Sequence, residues 1–199
     1  MILARFLEWR DAARRREFRG REYLARLYRF FLFQLFDPGL KFLYRLRLCV
    51  KTGQLSPFTN SDYRLLKEIR RHYPTPWFVR SWSKTMPLTR GLADYDDLIS
   101  QVHALKSHAA SQSWILPETA ILAPTLDCKG FAVLVSTLLA VHRIPNELWI
   151  GLPAEGLIGH AWLIVTAEGE RIAVDQLNGY GTRELLYLHD HPYAMTVRL

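Results

Sequence analysis

Residues 131–141 read Phe-Ala-Val-Leu-Val-Ser-Thr-Leu-Leu-Ala-Val. This run predicts a helix over residues 127–142 with almost no polar face, and such a helix must be packed on most of its circumference. It therefore marks the centre of the core. Asp127 precedes it as a residue type suited to capping, and Arg143-Ile144-Pro145-Asn146 breaks it. Glu147 to Leu152 then has strand character. His160–Thr166 and Arg171–Gln176 are two β-prone runs separated by Ala167-Glu168-Gly169-Glu170, the pattern of a hairpin. A helix followed by antiparallel strands is an α+β arrangement.

The hairpin fixes a parity. If Ala167 faces Glu170, then Thr166 faces Arg171, Trp162 faces Asp175 and His160 faces Leu177. Side chains alternate between faces, so His160, Trp162, Asp175 and Leu177 share one side of the sheet, and Asp175 is the diagonal neighbour of His160.

Cys128 falls in the first turn of the apolar helix. There the unpaired N–H groups and the helix dipole favour the thiolate, which is the attacking species, and the same N–H groups can donate to a developing oxyanion. His160 can accept the thiol proton and return it to a leaving amine. A carboxylate at Asp175 would hold the ring and fix its tautomer. Taken singly, each has a plainer reading: a small buried cysteine, a structural histidine, a strand-end acid. Jointly they point to nucleophile, base and orienter. Asn178 is an alternative orienter, since amides serve this way in papain-like sites, but the hairpin register favours Asp175.

The segments that carry this chemistry also resemble a known family. Asp127-Cys128-Lys129-Gly130-Phe131-Ala132, the aliphatic helix, Arg143-Ile144-Pro145, Gly159-His160-Ala161-Trp162 and Val174-Asp175 resemble the transglutaminase-like superfamily of bacterial cysteine peptidases and amide acyl-transferases. The resemblance covers about residues 113–180. It implies a papain-like core and a Cys-His-Asp triad at Cys128, His160 and Asp175. Leu126 stands where a glycine often precedes Asp-Cys, and Gly130 where an acidic residue is common. The stretch from Glu147-Leu148-Trp149-Ile150-Gly151 to Gly159-His160-Ala161-Trp162 also looks like the leader-cleaving proteases of lasso-peptide biosynthesis, which would imply a ribosomal precursor peptide as substrate.

Upstream, Leu24, Leu27, Tyr28, Phe31, Leu32, Leu35 and Phe36 recur at helical spacing, and Asp37-Pro38-Gly39 is expected to end that helix. A second helix is expected over Leu40–Lys51, closed by Thr52-Gly53. A third follows the capping run Asn60-Ser61-Asp62 and extends to Tyr73, before Pro74 and Pro76. Thr75–Gly91 reads as a connector and Asp94–His108 as a fourth helix. The resulting division is a basic helical N-terminal extension over residues 1–92 and a catalytic core over 93–199.

Charge is segregated. Residues 1–50 hold twelve cations against five acids, which equals the whole net charge of +7. Such a segment attracts anions, whether nucleic acid, anionic lipid or an acidic partner, although a solvated helix face is the plainer reading. Arg5, Glu8, Arg10 and Asp11 interrupt the first apolar residues before a signal-peptide run can form, and no stretch approaches the roughly 20 apolar residues of a membrane span. A cytoplasmic protein is expected, with peripheral membrane contact open.

Two cysteines make no disulfide framework, and Cys49 is expected as a small core or interface residue. A metal site from Cys128, His160 and Asp175 is disfavoured, because structural zinc wants four ligands and no Cys-x-x-Cys is present. No phosphate-binding loop or dinucleotide fingerprint occurs, so no nucleotide cofactor is expected, nor any other. His189-Asp190-His191 reads as a surface turn.

The function expected is therefore acyl transfer from a peptide or protein amide through a covalent thioester. Hydrolysis is favoured over capture by an amine, since water needs no second binding site. The rival is a non-catalytic scaffold of the same fold whose basic helices bind a protein, membrane or nucleic-acid partner.

Overall fold

The computed structural model describes residues 21–53, 62–73, 79–81, 99–100, 102, 107–108, 114–153, 159–167, 169–176, 179–190 and 193–198. In chain order the elements are α1 (Arg21–Phe30), a π-helical segment (Phe31–Phe36), α2 (Asp37–Thr52), α3 (Asp62–His72), β1 (Ser107–His108), α4 (Pro117–Leu122), β2 (Thr125–Leu126), α5 (Cys128–Val141), β3 (Asn146–Pro153), β4 (His160–Ala167), β5 (Glu170–Asp175), β6 (Gly179–Arg183), α6 (Glu184–Asp190) and β7 (Tyr193–Arg198). The architecture is α+β. Five strands form one antiparallel sheet in the order β6-β5-β4-β3-β7, and β1 pairs with β2 in parallel.

The expected strong helix lies where the sheet needs it. Phe131, Leu134, Val135 and Leu138 of α5 are buried in one cluster with Ala161, Leu163 and Val165 of β4, Leu148 of β3 and Val174 of β5. The alternate residues Trp162, Ile164 and Ala173 belong to a second cluster with Tyr187 of α6, packed by Trp149 and Tyr193. Period-two alternation thus gives β4 two buried faces, and the strand carrying His160 is held from both sides. At the far end of α5, Arg143 takes a left-handed conformation (φ 62°), a position where glycine is usual.

The helices before residue 73 belong to the same core. Leu32, Tyr44, Leu48, Leu65 and Ile69 are buried in the α5 cluster. Polar contacts tie them to α4 and the segment before it: Tyr28 donates to the Leu122 carbonyl at 2.6 Å, Lys41 to the Trp114 carbonyl at 2.5 Å, and the Tyr44 hydroxyl to Glu118 Oε1 at 2.6 Å.

Asp37-Pro38-Gly39 does not end the first helix, contrary to its turn-like composition. The chain runs on helically from Arg21 to Thr52. The turn before it is widened, with the Asp37 N–H donating to the Leu32 carbonyl, and Pro38 falls at the start of α2, where a missing N–H costs little. Asp37 itself is buried, accepting from the Leu116 N–H at 2.9 Å and the Thr119 hydroxyl at 2.7 Å and pairing with Lys41 at 2.8 Å. Tertiary partners outweigh the local turn signal.

Gly53 does close α2, at φ 68°, its N–H bonded to the Cys49 carbonyl at 2.9 Å. Cys49 is half-buried. Three further expectations need correction. Val79–Ser81 is helical within the expected connector, and Ser107–His108 is a strand, because it pairs with Thr125–Leu126 instead of continuing the helix predicted to His108. His189 and Asp190 end α6 rather than forming a turn. Asn60, Ser61, Leu177, Asn178 and His191 lie outside the described residues, as do residues 1–20.

Candidate active site

Asp127 starts α5. Its backbone is extended (φ −83°, ψ 178°), and its side chain accepts the Gly130 N–H at 2.9 Å while its other oxygen pairs with Lys129 at 2.9 Å. This is an N-cap in which the acid also holds a local cation. Gly130 is pressed against the strand before the helix: a Cβ there would lie 3.1 Å from Leu126 Cδ2 and 3.2 Å from Ile115 Cδ1. The close approach fixes the first turn and the half-buried Cys128 on it.

The hairpin adopts the register that its turn length predicts, with Ala167 opposite Glu170, Thr166 opposite Arg171 and Leu163 opposite Val174. Continuing that register by one step would set Trp162 opposite Asp175. His160 Nε2 lies 2.8 Å from Asp175 Oδ2. Asp175 is fully buried, while the His160 side chain keeps 15% of its surface exposed. The Cys128 thiol interacts electrostatically with the same ring. With Nε2 committed to Asp175, Nδ1 is the nitrogen left for the sulfur. The three residues singled out from sequence are therefore brought together.

Burial opposes a charge on His160, but the hydrogen bonds to Asp175 and to Cys128 outweigh it, and the ring's pKa is raised to about 9.

Three further residues shape the site. Tyr187 donates to Asp175 Oδ2 at 2.6 Å, and its oxygen lies 3.1 Å from the Tyr193 hydroxyl. Burial, then the bond to Asp175, raises the Tyr187 pKa, and burial raises that of Tyr193, so both remain protonated donors at neutral pH. Gln176 donates to the Leu126 carbonyl at 3.0 Å, fastening the end of β5 to the segment that leads into α5.

Aromatic rings wall the site. Trp162 stacks on Tyr193 at 4.4 Å between centroids and on His160 at 6.3 Å. Gly151, opposite His160 in the sheet, makes room for this stack: a Cβ there would fall 2.5 Å from the Tyr193 ring and 2.8 Å from that of Trp162. Sequence reasoning missed Tyr187, Tyr193 and Gln176. Tyr187 sits on a short helix with no spacing relation to Asp175, whereas Gln176, directly after the acid, carried a signal by adjacency.

Among the described residues no three His, Cys, Asp or Glu side chains are grouped so as to hold a metal ion.

No family model and no curated protein matches the chain. Among solved structures, it is similar to a candidate cysteine protease from Cytophaga hutchinsonii, at 14% identity and a TM-score of 0.45 over 72% of this chain. The chain spans 56% of that protein's length. A likeness at this distance assigns no family.

Proposed function

We propose that the chain is a cysteine-dependent amide acyl-transferase, chiefly a peptidase, with Cys128 as nucleophile, His160 as proton carrier and Asp175 as orienter. The observation that carries this reading is the His160 ring, with one nitrogen on a fully buried carboxylate while the ring also interacts electrostatically with the Cys128 thiol. A purely structural histidine has no need of a cysteine at a helix start as its second partner.

In the proposed reaction, His160 Nδ1 takes the Cys128 thiol proton, Sγ attacks the carbonyl carbon of a peptide amide, and the C–O π electrons move onto the oxygen. The Cys128 N–H, in the first turn of α5, donates to that oxyanion. As the C–N bond breaks, protonated His160 gives its Nδ1 proton to the departing amine, leaving a thioester. A water molecule then attacks the thioester while Nδ1 takes its proton; the C–S bond breaks with its electron pair on Sγ, the acid is released, and Nδ1 returns the proton to the sulfur. Asp175, held by Tyr187, keeps Nε2 protonated and the ring in place. An amine replacing water would give transamidation.

The motif resemblance supports a transglutaminase-like, papain-like core within residues 93–199, with residues 1–92 as a helical extension that buries Leu32, Leu48 and Leu65 against it. It also supports a peptide substrate, a ribosomal precursor among the class. The test is acyl-enzyme trapping with a peptide thioester or activated ester, read by intact mass. A Cys128 adduct that is absent from Cys128→Ala and slowed in His160→Ala is the expected result. Equal, sluggish modification of Cys49 and Cys128 would sink the proposal in favour of the scaffold.

A further inference from the structure

Nine of the eleven exposed large hydrophobic side chains among the described residues lie on the single helix from Arg21 to Thr52. Scattered apolar residues are ordinary on a protein surface, but a concentration on one element marks an interaction face. In α2 the division is angular. Lys41, Tyr44 and Leu48 face the core, while Phe42, Leu46 and Val50, about half a turn away, face outward, Val50 being 87% exposed. Leu27, Phe31 and Leu35 extend the outward face along the preceding turns. From Leu24 to Val50 the stripe runs about 40 Å.

We infer that this stripe is a docking surface for an anionic lipid bilayer, with the helix lying in the plane of the membrane interface. Charge decides the occupant. Arg29 and Arg47 are exposed on the same helix, and residues 1–50 hold the entire net charge of +7. A second copy of the chain would set like charges against one another. An anionic headgroup layer accepts both components: apolar side chains enter at the acyl boundary while arginines reach to the phosphates. No helix among the described residues is long and apolar enough to cross a membrane, so the contact is interfacial. The opposite face of the same helix packs into the core that holds α5, which would keep the Cys128 site at a fixed orientation to the bilayer.

This inference is independent of the chemistry at Cys128, and its test reads no activity. The full chain is sedimented with vesicles of phosphatidylcholine alone and of phosphatidylcholine with phosphatidylglycerol, at low and high salt. Two variants are compared: the triple Phe42→Ser, Leu46→Ser, Val50→Ser, and the double Arg29→Glu, Arg47→Glu. Both alter exposed side chains, and circular dichroism melting confirms their folding. The expected result is binding to the anionic vesicles only, weakened by salt and reduced about tenfold or more in each variant. Failure to bind anionic vesicles, equal binding to neutral ones, or binding indifferent to the apolar triple would each overturn it. So would a self-associated chain that the triple variant renders monomeric, or binding to duplex DNA in place of vesicles.

Discussion

The Gln176 side chain donates to the backbone carbonyl of Leu126 at 3.0 Å, fifty positions away in sequence, and both groups are buried. One hydrogen bond thus fastens the residue after Asp175 to the residue two before Cys128. Replacing Gln176 by Leu strands a buried carbonyl. A loss of about 1–3 kcal/mol is expected, read as a lowered denaturation midpoint, with slower alkylation of Cys128 under conditions where the fold is intact. A fall in stability with unchanged thiol reactivity would deny this bond its place in positioning the site.

The ring of His160 is expected to govern the thiol. Iodoacetamide should modify Cys128 faster than Cys49 near neutral pH. His160→Ala should slow Cys128 labelling by about tenfold or more, and turnover of any amide substrate by about 10²-fold or more. Asp175→Asn should act in the same direction through ring orientation. Labelling rates that ignore both substitutions would rule out the proton-carrier role.

Because the His160 pKa in the fold, about 9, is above its ordinary 6.5, the folded state binds this proton more tightly than the unfolded chain. Its contribution to stability is complete below the unfolded value and disappears as pH rises through about 9. Unfolding midpoints should therefore fall between pH 7 and 9.5, and His160→Gln should flatten that slope. The comparison requires chemical denaturation at several pH values.

Tyr187→Phe keeps the ring against Trp162, 5.8 Å between centroids, and removes only the hydroxyl bonded to Asp175. The unshared carboxylate should then pair more strongly with the imidazole, moving the His160 titration upward, with a several-fold loss of turnover. An NMR titration of the ring checks this. A stability change with the titration unmoved would make Tyr187 a packing residue alone.

Glu118 is buried beside Tyr44, and burial holds its pKa above the ordinary value of 4.5. For a raised carboxyl, the stabilising contribution is present at low pH and lost as pH rises through the folded value. Glu118→Gln should thus raise the melting temperature near pH 8, by the equivalent of about 1 kcal/mol, and give little or no gain near pH 4. An equal effect at both pH values would mean that the carboxyl does not titrate differently in the fold.

Much of the fold was legible because the relevant signals are local. The all-apolar run from Phe131 to Val141 forces a buried helix, Asp127 caps it, and the short turn at Gly169 sets the parity that aligns His160 with Asp175. Signals failed where remote partners change the balance. Asp37-Pro38-Gly39 has the composition of a stop, yet Asp37 finds the Leu116 N–H, Thr119 and Lys41, and the helix continues. Ser107–His108 leaves the expected helix because Thr125–Leu126 offers a strand partner.

By itself the sequence determined the α+β class, the buried helix and the hairpin register, since backbone period and side-chain polarity act over neighbouring residues. Only the tertiary structure decided that Cys128 and the ring of His160 interact, that Tyr187 and Gln176 lock Asp175 and the start of α5, and that Phe42, Leu46 and Val50 of α2 are exposed. Those outcomes depend on how separate elements pack. Closing long loops brings together groups whose attraction no local spacing records.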